Sequence, residues 1–367
     1  MRILRVLVQR LFATILVLLV LTGATYALYS RLAVEPGRYL ARSPQPTREE
    51  LQAGARALGT DRSFVVQYVD FVAGAVRGDL GLAWRGIELG DDGQLQGQSV
   101  RSIVGNAAAV TGSLALGGGL LLVLLTFPVA LFTASRPRSW FDRTALVVVV
   151  AAIAMPPLVL GIVLQATIGA RWELLPESGY CPLSGRSVVY DPTPTSTAYV
   201  GAGPSGTECG GPRDWASHLV LPWLTFALIF AALYVRVLRS SLMEQLEESY
   251  VQAARARGAA ERRVLVRHAL PNAIAPMLTL LALDGGAMLG AAIYIEVVFD
   301  LPGLGQLAVR SLNGFPGIDL PVITGLVVVI GLAVMTLNTL ANVAYAAVDP
   351  RVRDARALRA RRPARAS

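Results

Sequence analysis

Two histidines, two cysteines and no lysine set narrow limits on the chemistry open to this 367-residue chain. All 33 of its Lys/Arg-class bases are arginine. A GxxxxGK(S/T) phosphate loop therefore cannot form, and neither can a lysine Schiff base. No HExxH, GxSxG or CxxC spacing occurs. His268 lies in an expected inner loop and His218 at an expected outer membrane edge, so they cannot share a zinc ion or a catalytic site. Cys181 and Cys209 fall in one outer stretch rich in Gly, Pro, Ser and Thr. Such a compartment permits a Cys181–Cys209 disulfide; two free thiols are the alternative. Asp284 is an ionisable group inside an apolar run, with Met288 one turn further on. A charge in hydrocarbon is costly and faces a cavity or a partner. A polar path and a hydrogen bond to another helix are the two readings.

The elements that must position these residues are membrane spans. A soluble chain of this length would usually make two domains, but 54% of the residues are hydrophobic and only 16% charged. That balance belongs to a multi-span protein whose first partner is the lipid bilayer. The net charge of +8 raises nucleic acid as a partner. The arginines, however, are divided among loops flanking apolar runs, with no aromatic stacking platform, which argues against nucleic acid. Six runs approach the ~20 residues needed to cross a bilayer: Leu11–Tyr29, Val110–Ala134, Thr144–Ile168, Leu219–Val237, Ile274–Val298 and Val322–Val343. A cleaved signal peptide ending near Ala27 is the alternative for the first, though the run is longer than a usual signal core. Arg2, Arg5 and Arg10, the short Ser135–Arg143 segment, Arg236 and Arg239, and the tail beyond Arg351 all fall on one side, which the positive-inside rule makes cytoplasmic.

The expected fold is thus an all-α polytopic membrane protein of six transmembrane helices with both termini cytoplasmic. It divides into a first span (1–30), an extracytoplasmic segment (31–104), a five-helix core (105–350) and a basic tail (351–367). The core carries an outer loop (169–217) and a cytoplasmic loop (238–273). In the outer segment, Thr47–Leu58 reads as a helix capped by Thr47, Ser63–Val76 as an amphipathic helix, and Arg77–Gly81 as a turn with Asp79 in a turn-forming role. Pro156 and Pro157 should kink the third span. Gly117–Gly119, and the pair Gly286 and Gly290, suit close helix contact.

The most informative run is EQLEESYVQAARARGAAERRVLVRHALPNAIAP, Glu244–Pro276, between two apolar segments. Glu244–Arg257 is free of Gly and Pro and rich in helix formers. Its acids come first and its bases last, as the helix dipole favours. Gly258 stands where a left-handed cap is needed, and a second short helix, Glu261–Leu270, runs into Pro271. A small-residue stripe of Tyr250, Val251, Ala253 and Ala254 lets another surface come close. This reads as a helix along the membrane, offered to a soluble partner; an ordinary Arg-rich inner loop is the alternative.

The same run resembles the EAA loop of permease subunits of bacterial dipeptide/oligopeptide-type ABC importers. LGTDRSFVVQYVDFVAGAVRGDLG (Leu58–Gly81), SRPRSWFDR (Ser135–Arg143), EVVFDLPGLG (Glu296–Gly305) and AYAAVDPRVR (Ala344–Arg353) resemble the same family in the same order, over nearly the whole chain. The resemblance implies a type I ABC importer-like architecture in the bacterial inner membrane. It implies a second homologous permease subunit, two ATPase subunits and an extracytoplasmic substrate-binding protein. ATP and Mg would be bound by the ATPases, no cofactor by this chain, and the chain itself would not be an enzyme. Coupling to the ATPases would fall on Glu248, Tyr250, Ala253, Ala254, Arg255, Arg257, Gly258 and Glu261. Tyr250 would anchor the helix, the Ala253–Ala254 face would enter a groove, and Arg255 and Arg257 would fix its orientation. Asp284 and Met288 would lie on the translocation path. The chain departs from the family in three places: Ala260 stands where a capping Ser is common, Asp284 where an uncharged polar residue is common, and the outer loop is long. The implied cargo is di- or oligopeptides, with nickel chelates or glutathione-like solutes as alternatives. An ion channel or a membrane enzyme is the alternative class, although neither a carbonyl filter nor a ring of acids is evident.

Overall fold

The computed structural model describes residues 2–32, 35–41, 45–90, 94–183, 211–313 and 317–348. Among them, five helices are long and apolar enough to cross a membrane. They are Phe12–Tyr29 within α1 (Arg2–Tyr29), α4 (Val100–Ser135), α7 (Pro212–Glu247), Glu261–Leu281 leading into α10 (Leu270–Val298), and Leu320–Leu340 within α12 (Leu320–Val348).

The run expected as a continuous third span is divided instead. Helix α5 (Trp140–Ala154) stops, Pro156 turns extended at ψ 143, and α6 (Pro157–Leu164) passes into a π-helical turn at Gln165–Arg171. Neither proline has an N–H to return to the preceding turn. The Pro157 ring also disfavours the helical conformation at Pro156, so a break replaces the expected kink.

The chain separates into two compact units. The first joins the described parts of Met1–Ser113, Glu173–Leu219 and Glu296–Ala333. Here α2 (Arg48–Ala57) carries the expected Thr47 cap, the Glu50 N–H donating to Thr47 Oγ1 at 3.3 Å, and adds a return bond from the Thr47 N–H to Glu50 Oε2 at 2.9 Å. This reciprocal pairing satisfies two orphan donors at once. Helix α3 (Phe64–Val76) lies against α1, with Tyr68 Oη donating to the Leu19 carbonyl at 2.6 Å. Asp79 forms the turn after α3 by accepting from the Gly81 N–H at 2.9 Å. A short antiparallel pair, β1 (Glu88–Leu89) with β2 (Leu95–Gln96), and an isolated bridge between Leu82 and Ser99 depart from the expected all-helical chain.

The core of this unit gathers Ala83, Val100, Val104, Leu304, Val322 and Leu326. Two buried carboxylates hold its chain reversals. Asp319 accepts from the N–H groups of Trp84 (3.3 Å) and Arg85 (3.0 Å), tying the outer segment to the start of α12. Glu296, fully buried near the end of α10, accepts from Thr111 Oγ1 at 2.6 Å and from the Gly305 N–H at 2.7 Å. It thereby caps α11 (Leu304–Asn313). A side chain at Gly303 would strike that carboxylate, which explains the glycine in Pro302-Gly303-Leu304-Gly305.

The second unit joins the described parts of Leu114–Trp172, Val220–Ile295 and Val334–Ser367. Its helices meet through the expected small residues of α4: Gly117 lies under the Trp223 indole and Gly118 under Phe226. On α10 the close approach falls on Gly285, facing Asn338, whereas Gly286 and Gly290 face open space. The tail from 349 onward lies outside the described residues.

Candidate functional site

The loop between α7 and α10 begins with a break. Helix α7 runs on to Glu247, and Glu248 is extended (φ −67, ψ 145) before α8 (Ser249–Ala256) starts. The expected single helix from Glu244 is therefore corrected. Glu244 and Glu247 close α7, where acids oppose the helix dipole, and only Glu248 stands at the head of the new helix. Glu248 makes no side-chain cap, but its carbonyl accepts from the Val251 and Gln252 N–H groups.

The faces of α8 follow from helical spacing. Val251 and Ala254, three residues apart, are buried against the chain itself, while Tyr250, Ala253 and Arg257 share the exposed side. Residues three and four apart lie on one face, so neighbours in a stripe such as Ala253-Ala254 must point differently. Hence Ala253 is presented outward and Ala254 seats the helix.

Three side chains brace α8. Tyr250 Oη donates to Gln245 Oε1 at 2.7 Å and accepts from Asn272 Nδ2 at 2.9 Å, joining the end of α7 to the start of α10. Arg255 grips Glu261 in a two-pronged ion pair, Nη2 to Oε1 at 2.6 Å and Nε to Oε2 at 3.1 Å. The Glu261 hydrogen bonds push the Arg255 guanidinium above its ordinary value. Gln252 Nε2 donates to the Glu247 carbonyl at 3.0 Å. Arg257 stays exposed, donating only to the Ala253 carbonyl in its own helix.

Gly258 ends the helix as its position predicts. Its φ is +81, its N–H donates to the Arg255 carbonyl at 2.8 Å, and the Ala259 N–H donates to the Ala254 carbonyl at 3.3 Å. That pair of bonds is the Schellman arrangement. A Cβ at Gly258 would meet nothing within 4 Å. The demand for glycine is therefore one of backbone conformation, not of space.

The expected second helix does not stop at Pro271. Glu261–Arg263 (α9) continues through a π-helical stretch, Val264–Ala269, straight into α10. The wider π turn relieves the clash of the proline ring with the carbonyl four residues earlier. Ala260 supplies no side-chain cap, and its carbonyl alone accepts from Arg263 and Val264. From Glu261 onward, the second half of the loop and the span are thus one continuous rod.

The other candidates lie elsewhere. Asp284 accepts from Tyr234 Oη at 3.1 Å, a bond between α10 and α7 from a fully buried tyrosine. Met288 is half-buried on the same helix. Cys181 is disulfide-bonded; Cys209, the only other cysteine in the sequence, lies outside the described residues. Sequence reasoning missed Gln245 and Asn272. Asn272 follows Pro271 in a segment expected to be a terminus, so nothing local marked it as a partner of Tyr250. The arrangement ties the exposed α8 to α7 through Gln245 and to α10 through Asn272 and Glu261.

Residues 126–354 match the family described as the binding-protein-dependent transport system inner membrane component, and residues 3–84 match its N-terminal companion. A putative peptide permease protein of Brucella suis biovar 1 is 30% identical over 337 residues, covering 91% of this chain and 95% of that one. The dipeptide transport system permease protein of Escherichia coli K12 is 28% identical over 351 residues, covering 95% and 99%. The oligopeptide transport system permease protein of Mycobacterium tuberculosis (strain CDC 1551 / Oshkosh) is 29% identical over the same length and shares.

Proposed function

The chain belongs to the binding-protein-dependent transport system inner membrane components, and from that premise we propose that it forms half of a peptide-conducting path driven through α8. As a permease subunit of an ABC transporter in the inner membrane, it is not itself an enzyme. The finer reading is that it crosses the membrane six times with both termini inside and pairs with a second homologous permease. Two ATPases holding ATP and Mg dock below, and an extracytoplasmic binding protein delivers di- or oligopeptides. The names of the similar permeases support the peptide cargo.

One observation carries the coupling role: α8 is exposed on its Tyr250, Ala253 and Arg257 side yet braced to both neighbouring helices. An isolated eight-residue helix is marginal in water, so three side-chain braces imply a rigid element. Glu248, Tyr250, Ala253, Arg257 and Gly258 would meet the ATPase. Ala254, Arg255 and Glu261 would hold the helix that does so. Asp284 and Met288 would line the path, with Tyr234 fixing the carboxylate that selects the peptide amine.

The test is purification of the tagged chain together with peptide-uptake assays. ATPase subunits and a peptide-binding protein should accompany it. Gly258→Val should insert and assemble but hydrolyse ATP with little uptake, because a β-branched residue costs ~1–2 kcal/mol in the left-handed conformation. A chain that transports alone, or uptake unaffected by Gly258→Val, would overturn the reading.

A further inference from the structure

Away from α8, one strongly held ion pair stands out among the described residues of the second unit. Asp142 and Arg239 are 97 residues apart in sequence. Arg239 Nε donates to Asp142 Oδ1 and Arg239 Nη2 to Asp142 Oδ2, both at 2.8 Å. Their side chains are 4% and 18% exposed for Asp142 and Arg239 respectively, so water competes little. By contrast, the Arg62–Asp70 pair at 3.3 Å is more than half exposed on both sides and contributes little.

Both residues sit at joints. Asp142 is in the first turn of α5, at the corner that reverses the chain after α4. Its own N–H donates to Ser139 Oγ at 3.1 Å, and Oδ2 also accepts from the Arg138 N–H at 2.9 Å. Arg138 is held there at φ +64, an unusual conformation for a residue with a side chain. The corner is packed as well: Phe132 meets Phe141 edge-on, and the Arg136 guanidinium lies 5.3 Å over the Phe132 ring. Burial opposes charge on Asp142, but the Arg239 bonds and the Arg138 N–H hold its carboxyl below the usual carboxylate range. Arg239 lies on α7 between Leu238 and Leu242, both fully buried. About 12 Å of helix, at 1.5 Å per residue, separates it from Glu247, where α7 ends.

We propose that the Asp142–Arg239 pair is a positioning strut that locks the α4–α5 corner to the driven end of α7, so that displacement of α8 moves both together. This rests on the coupling role proposed above. A two-pronged Arg–carboxylate contact fixes angle as well as distance. Without the strut, α7 slides past the corner and ATP-driven motion is lost before it reaches α4 and α5.

The neutral double variant Asp142→Asn/Arg239→Gln is the first test, because removing both charges together leaves no unpaired buried charge. In the reconstituted complex with its binding protein, basal ATP hydrolysis and the binding-protein concentration for half-maximal stimulation should stay within twofold. Peptide transported per ATP should fall at least fivefold. The swapped pair Asp142→Arg/Arg239→Asp should recover at least half of the loss. Unchanged transport per ATP in the neutral variant would overturn the strut while leaving the coupling role of α8 intact. A parent chain that brings no ATPase would overturn both. If the neutral variant fails to assemble, Asp142→Cys/Arg239→Cys decides, compared with and without a short bifunctional thiol linker. Linked protein should carry at least fivefold more peptide per ATP than unlinked, and equal values would overturn the strut.

Discussion

Tyr250 shows how one hydroxyl can serve two helices. It donates to Gln245 and accepts from Asn272, so its ring stands at the hinge between α7 and α10. Tyr250→Phe keeps the ring and deletes both bonds. Each bond is partly solvated and contributes ~0.5–1.5 kcal/mol. The expected outcome is faster amide exchange in Ser249–Ala256 and a partial loss of uptake, with expression and insertion unchanged. Exchange rates equal to the parent would mean that Val251 and Ala254 seat α8 unaided. Gly258 differs in kind, because its Cβ would meet nothing. Asn, which tolerates the left-handed region, should therefore preserve function there far better than Val.

At the scale of elements, the reversal between α10 and α11 is pinned from the interior by the Glu296 carboxylate. Glu296 receives Thr111 from one helix and the Gly305 and Gln306 N–H groups from the next, all in the interior. Glu296→Ala strands two buried amides, while the Thr111 hydroxyl keeps the Ala107 carbonyl as acceptor. At ~1–3 kcal/mol for each unsatisfied group, it should lower the melting temperature of the detergent-purified protein sharply, with Glu296→Gln lowering it less. A melting curve like the parent's for the alanine variant would show that the turn is held by Phe299 and Leu301 packing alone. The same logic separates α8 from a plain connector. The loop is tied at both halves, since Arg255 closes it on Glu261 and the π-helical stretch joins it to α10.

For the whole molecule, the disulfide at Cys181 is the one covalent constraint among the described residues. Pairing with Cys209 would close a loop that, in the chain-entropy treatment, gains roughly 3–4 kcal/mol from restricting the unfolded chain. Non-reducing mass spectrometry should recover a Cys181–Cys209 peptide, and Cys181→Ser or reductant should raise protease cleavage within 169–217. Cleavage independent of reductant would mean that the loop is ordered by other contacts. Membership of the transport family sets the kind of assembly in which these parts act.

Hydropathy and arginine placement were enough to put this chain in a membrane, because span length and flanking charge are local properties. Gly258 was legible for the same reason: a helix that must turn sharply needs a residue tolerant of positive φ, wherever it packs. Thr47 announced the cap of its helix in the same local way, although the return bond from Glu50 emerged only in the structure. Tertiary structure decided which side of α8 faces outward, since a helical period reveals that faces exist but not which one is covered. It also decided that the third apolar run breaks at Pro156, and that Pro271 sits within a continuous rod. The Tyr234–Asp284 and Asp142–Arg239 bonds join residues 50 and 97 positions apart. Such pairings depend on how helices are arranged in space, which no local pattern encodes.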